Sequence, residues 1–347
     1  MLSWGTLSKT IGVLLIAITA ASSFYTLNAA ESKRVVVVYT SVDQVFSEPL
    51  LKRFEESTGI RVLAVYDVEA TKTTGLVNRI ISEKEKPLCD VWWSGEFVQT
   101  ILLEKEGALT PYQSASAEGI PSQYIGANWN WVGFGGRARV LLVNTNLVSP
   151  GQIPHSLLDL TRIGVPANKI GIAYPMFGTA ATHAATLYAQ LGPEKTKAFF
   201  TELRDSGVTV VDGNSVVRDL VANGQLAMGL TDTDDAIGAV SEGAPVSMVF
   251  LDQGEGEMGT LIIPNTVALI RNAPHSTEAK ILIDYLLSSR VESDLVESGW
   301  FQIPLRPVAA KQSFFDASSV RGINVDYETV YGYLEQVKKD LAEIFIR

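Results

Sequence analysis

Cysteine is almost missing from this chain: Cys89 stands alone among 347 residues. An internal disulfide is therefore excluded in any compartment, and the fold must be held by its core. Histidine is nearly as scarce. His155, His183 and His275 are isolated, and no His-Glu-x-x-His, Gly-x-Ser-x-Gly or Cys-x-x-Cys pattern accompanies them, so zinc-protease, serine-hydrolase and dithiol chemistry find no support. Positive charge is also short, with 28 Lys and Arg against 38 Asp and Glu, a net charge of −10. Nucleic acid, whose binding depends on neutralising phosphates with basic side chains, is not an expected partner, and neither is an anionic membrane surface. Gly133-Phe134-Gly135-Gly136 lacks the spacing of a dinucleotide fingerprint, and no cofactor is indicated. Charged residues make up only 19% of the chain and hydrophobic ones 46%, which excludes disorder.

No apolar run is long enough to cross a bilayer. The stretch over residues 11–21 is about half of the ~20 residues that a spanning helix needs. With Lys9 before it and the small residues of Leu27-Asn28-Ala29-Ala30 after it, residues 1–30 read as a secretory signal peptide, the alternative being an uncleaved anchor. Export is expected either way, to the periplasm or beyond the cell. No cysteine near the cleavage region offers a lipid anchor.

The remaining chain alternates strand and helix. Val35-Val36-Val37-Val38-Tyr39 is the continuous β-branched run of a strand buried on both faces. Further strands are predicted over 60–65, 90–93, 140–144, 170–173, 209–211, 227–231, 246–250 and 267–270. Helices are predicted over 47–58, 70–84, 97–106, 179–191, 193–205, 216–223, 277–287, 290–299 and 327–345. The pattern is α/β with mostly parallel sheets. The length suits two lobes, and the lack of a flexible linker implies that the chain crosses between them more than once.

Candidate site residues cluster at strand ends, where α/β sheets open their crevices. The sharpest cluster is Gly229-Leu230-Thr231-Asp232-Thr233-Asp234-Asp235, in which a hydrophobic strand runs into three carboxylates. Such crowding needs a cation or protons to compensate it. The same residues could also form a polar loop with Asp234 or Asp235 as N-cap. A calcium loop fails, since Ile237 stands where glycine is needed and Gly243 where the closing glutamate belongs. Asp232 as a phosphatase nucleophile is conceivable from its Asp-x-Asp setting. Ser41, Asp43 and Gln44 follow the first strand, as a crevice lining or a helix cap. Trp93-Ser94-Gly95-Glu96 ends another strand, with Glu96 either facing a ligand or serving a helix N-terminus. Gly178, Thr179 and Ala180 open a helix whose free N–H groups suit an anion, and Asn214 opens a second. Trp129 and Trp131 are candidates for walling the cleft or for simple burial.

Taken together, Val-Val-Val-Tyr-Thr-Ser at the start, Phe54-Glu55-Glu56-Ser57-Thr58-Gly59-Ile60, Asp90-Val91-Trp92-Trp93, Val221-Ala222-Asn223-Gly224 and Asn272-Ala273-Pro274-His275 resemble a bacterial family. The chain is similar to the periplasmic solute-binding proteins of ABC importers, in the branch that contains the ferric-iron-binding proteins. The resemblance implies a monomer of two lobes closing over a ligand and presented to a permease in the inner membrane, with no catalysis. Lobe 1 would hold 31–138 and 267–347, and lobe 2 would hold 139–266. Ferric members usually hold iron with two adjacent tyrosines, a histidine and a glutamate. Here the tyrosine pair falls on Asp234 and Asp235, the histidine on Asp43 and the glutamate near Glu96, so the phenolates are missing. A hard metal ion on Asp43, Glu96, Asp234 and Asp235 remains one expectation. Other members of the branch bind phosphorylated sugars, aminoethylphosphonate or thiamine. An anion pocket implied at Gly178, Thr179 and Ala180, with Asn214 near, favours a small solute carrying an amine or several hydroxyls together with a phosphoryl or carboxyl group.

Overall fold

The predicted β-branched run forms strand β1 (Val35–Thr40), with Val36 and Val38 wholly buried. The computed structural model describes residues 34–67, 74–297, 302–308 and 319–345; the proposed signal peptide and the start of the 70–84 helix lie outside them. From β1 the chain enters helix α1 (Gln44–Thr58), which buries Leu50, Leu51 and Phe54 on one face. Gly59 ends the helix in the left-handed region, φ 69°, and its N–H donates to the Glu55 carbonyl at 2.8 Å. This is the economical stop that glycine allows. β2 (Arg61–Tyr66) then pairs parallel with β1, and β3 (Val91–Ser94) pairs parallel on its other side. Helices α2 (Thr74–Ser82) and α3 (Val98–Lys105) follow the adjoining strands, with the two-residue β4 (Leu109–Thr110) after them.

β5 is a 13-residue strand (Val132–Asn144), much longer than the predicted 140–144. Its first half pairs antiparallel with β10 (Ile262–Ile270); from Arg139 onward it pairs with β8 (Met228–Asp232) and β9 (Val246–Val249). Beyond β8 lie β6 (Ile170–Ala173) and β7 (Thr209–Val211), both parallel. The full order is β2-β1-β3-β10-β5-β8-β6-β7. Parallel pairing thus makes up both flanks, and the two strands joining them, β5 and β10, add the antiparallel pairs of a mixed sheet. Helices α4 (Gly178–Leu191), α5 (Pro193–Asp205), α6 (Asn214–Ala222) and α7 (Thr233–Ser241) belong to the second flank.

The C-terminal half adds α8 (Ser276–Leu286), α9 (Ser289–Glu297) and α10 (Tyr327–Ile344). α10 packs against α4 and α5 of the second flank and against α3 of the first. Tyr188 of α4 donates to Asp340 at 2.9 Å, while Phe97, just before α3, stacks on Tyr327 with centroids 3.9 Å apart. One amphipathic helix therefore touches both halves of the molecule.

Candidate functional site

Register builds the site. In the β5–β8 ladder Arg139 faces Asp232, and residues opposed in this way share a face of the sheet. Arg137, two residues earlier on β5, lies on the same face. Arg139 Nη1 donates to Asp232 Oδ1 at 2.7 Å and to Asn214 Oδ1 at 3.0 Å. The other oxygen, Oδ2, accepts from Thr179 Oγ1 at 2.7 Å and from Asn214 Nδ2 at 3.1 Å, and lies 3.3 Å from Arg137 Nε. Asn214 Nδ2 also donates to Thr179 Oγ1 at 2.8 Å. Thr179 is the second residue of α4, Asn214 the first of α6, and Asp232 the N-cap of α7. Three positive helix ends thus converge on one buried carboxylate. Burial alone would raise its pKa, but Arg139 and Arg137, with the Thr179 hydroxyl, hold it below the ordinary aspartate value.

Asp234 and Asp235 are not caps. They sit in the first turn of α7, which begins at Thr233. Asp234 Oδ1 accepts the Asp235 N–H at 3.1 Å; Asp235 Oδ2 accepts from Thr231 Oγ1 at 2.9 Å, and Oδ1 lies 4.0 Å from Arg218 Nη1. Burial raises the pKa of Asp234, and burial together with Asp234 and Asp232 pushes Asp235 up to about 7. One ligand oxygen from each of Asp232, Asp234 and Asp235 can be chosen within 4.8 Å of the others.

Arg137 connects this cluster to the first flank. It feels the charges of Asp234, Asp232, Asp235 and Glu96. Its terminal nitrogens lie 3.6 and 3.9 Å from the position of a Cβ on Gly95 and make no hydrogen bond to the described residues. Ser41 meets Gly95 at the ends of β1 and β3: its hydroxyl accepts the Gly95 N–H at 3.1 Å and lies 3.2 Å from Ser94 Oγ.

Glu96 is buried and caps α3, accepting from the N–H groups of Val98 at 2.7 Å and Gln99 at 3.0 Å. Burial raises its pKa against the pull of those N–H groups and Arg137. Asp43 is the exposed N-cap residue of α1, without a side-chain capping bond, and Gln44 donates to Glu48 at 2.9 Å on the surface. Gly178 is exposed at φ 54° with open space around it, and Ala180 is 8% exposed within a small apolar cluster. Trp131 is buried and donates to Glu104 on α3 at 3.0 Å, which commits it to the first flank's packing. His183, one turn into α4, is buried near Arg139; burial and then that guanidinium push its pKa down to about 3, so it is neutral.

Of the residues singled out in the sequence, the structure brings Thr179 and Asn214 onto Asp232, with Asp234 and Asp235 close by; Asp43 and Glu96 are not part of that carboxylate group among the described residues. The sequence reading missed Arg137 and Arg139. Their signal was an Arg-x-Arg pair inside an otherwise apolar stretch that continues as a strand upstream of residue 140.

A family model described as bacterial extracellular solute-binding protein matches residues 35–301. An uncharacterized protein of Haemophilus influenzae is 25% identical over 98% of this chain and 97% of its own. The Fe(3+)-binding periplasmic protein of Serratia marcescens is 24% identical over 62% of each chain. A putative 2-aminoethylphosphonate-binding periplasmic protein of Salmonella typhimurium is 25% identical over 81% of this chain and 82% of its own. Among solved structures, iron-bound HitA from Pseudomonas aeruginosa superposes with a TM-score of 0.78 at 19% identity, over 89% of this chain and 99% of that one.

Proposed function

Because this chain belongs to the bacterial extracellular solute-binding proteins, a non-enzymatic class that captures solutes for ABC importers, we propose that its cargo is a small solute bearing both a cation and an acid. An amine, or a set of hydroxyls, meets Asp234 and Asp235, and a phosphoryl or carboxyl group meets Arg137. The observation that carries this reading is the outer edge of Arg137, which donates no hydrogen bond to the described residues and lies beside Gly95 in the field of the α7 carboxylates. A site with donors and acceptors of both charges side by side suits a zwitterion. The relative named for 2-aminoethylphosphonate supports the same class. Asp232, by contrast, has both oxygens engaged by buried donors, which is the setting of a structural anion and a poor one for a nucleophile. Of the remaining candidates, Gly178 at the exposed start of α4 faces the ligand, Ser41 acts by holding the Gly95 backbone, and Thr179 and Asn214 act through Asp232.

A hard metal ion is the second reading, favoured by the convergence of three carboxylates and by the relative named for Fe(3+). The proposed site of action is the periplasm, with the chain delivering cargo as a monomer to an inner-membrane permease. Closure of the two flanks over the ligand, moving about β5 and β10, is the proposed switch. Calorimetry with aminoethylphosphonate and with ferric ion separates the two readings. The zwitterion should bind one to one, and Arg137→Gln should weaken it by about 10- to 150-fold, the worth of a charge-assisted hydrogen bond of about 1.5–3 kcal/mol. Tight ferric binding that is indifferent to Arg137→Gln establishes the metal reading instead.

A further inference from the structure

Asp232 has a coordination that side-chain carboxylates rarely collect. Two arginines, a hydroxyl and a carboxamide surround it, the last two from the first turns of α4 and α6, and Asp232 itself holds the N-cap position of α7. Its residue is 4% exposed, as is the Arg139 side chain. Arg139 Nε is buried with no hydrogen-bond partner among the described residues, so this guanidinium still has a donor to offer. Helix N-termini lined with arginine, threonine and asparagine are the equipment of a site for a small oxyanion taken from solution. Here the oxyanion is covalently part of the chain.

We infer that Asp232 is a built-in anion filling a latent oxyanion site, and that the cradle accepts a free carboxylate or phosphate once the aspartate side chain is removed. The charge balance requires an occupant. Without Asp232, the buried Arg139 guanidinium loses the carboxylate it is paired with, while Arg137 keeps the charges of Asp234, Asp235 and Glu96. With it, the cradle is closed to solution anions, and an incoming acid group reaches only the outer edge of Arg137. The inference shares Arg137 with the proposed cargo site, but it concerns the buried partners of Asp232 and is tested with simple anions, whichever solute the cleft takes.

The test is chemical rescue. Asp232→Gly removes the methylene and carboxylate, leaving a space matched to formate or acetate. Its melting temperature should fall by several degrees in chloride and recover by about half or more with tens of millimolar formate, saturably, as for a ligand that binds only the folded state. Wild type should gain nothing from formate over chloride of equal ionic strength. Adding Thr179→Val to Asp232→Gly should weaken the rescue. If formate lifts wild type and Asp232→Gly equally, or lifts neither, the latent site does not exist. Asp232→Asn provides a second criterion should the glycine variant not fold: it keeps the shape but loses the charge. It should melt well below wild type, and a melting temperature unchanged from wild type overturns the proposal.

Discussion

Asp235 is the residue whose environment most directly couples this protein to pH. Its pKa near 7 lies above the ordinary aspartate value of 3.8 because burial, Asp234 and Asp232 all oppose its charge. In the unfolded chain it ionises early, so its stabilising contribution is complete below about pH 4 and lost as pH rises through 7. The melting temperature should therefore decline between pH 5 and 8, and Asp235→Asn should flatten that decline. Asp232 has the opposite sign: its depressed pKa stabilises the fold above the ordinary value and is lost only in stronger acid. For binding, an amine requires the ionised Asp235, so affinity should rise from pH 6 to 7 by up to about tenfold, the effect of one linked proton, with proton uptake or release read by calorimetry in buffers of different ionisation enthalpy. Cys89 gives a simpler expectation. It is 1% exposed and burial drives its thiol far above the usual range, so a thiol reagent should label it only on unfolding. At this scale the acidic residues were legible, because three carboxylates after an apolar strand are conspicuous. The pairing of Asp232 with Arg139 was not, because it joins residues 93 positions apart.

Among the elements, β5 explains most of what sequence reading missed. Glycines at 133, 135 and 136 argue locally against a strand, yet the chain continues extended through them because β10 pairs alongside. The register slips between Pro264 and Asn265, opposite Gly135, whose φ of 50° suits a bulge that glycine alone adopts cheaply. The Gly135 N–H there donates to the buried Glu292 at 3.0 Å. Gly229 on β8 has a different reason: a Cβ would stand 2.4 Å from Val217 Cγ1 and 2.9 Å from the Gly171 carbonyl oxygen. Gly229→Ala should destabilise by about 1–3 kcal/mol through overpacking, measured by urea denaturation, and it should move β8 and hence Asp232 with it. Helices such as 193–205 and the β1 strand were readable from periodicity and β-branching because their own cores dictate them. The alternative of an N-cap at Asp234 or Asp235 falls two or three residues late, since α7 starts at Thr233 and Asp232 holds the N-cap position without a side-chain capping bond.

For the whole molecule, the likeness to solved binding proteins shows the fold, and the crossing of β5 and β10 between the flanks is the ground on which hinge motion is proposed as the response to ligand. The two-lobe architecture was legible from chain length, the α/β rhythm and family-like segments. The bridging role of α10 was not, because an amphipathic helix does not announce which two surfaces it will touch. A ligand that closes the flanks should reduce the radius of gyration by small-angle scattering, and α10, tied to α4 by Tyr188 and Asp340, should limit that change. The decisive measurement is calorimetric titration of aminoethylphosphonate into wild type, Arg137→Gln and the Asp234→Asn, Asp235→Asn double variant, all confirmed as folded. A cleft that reads both charges of its cargo gives saturable one-to-one binding in wild type and at least a tenfold loss in each variant. Undiminished binding in both variants, or no binding in wild type alongside tight binding of ferric ion, would contradict it.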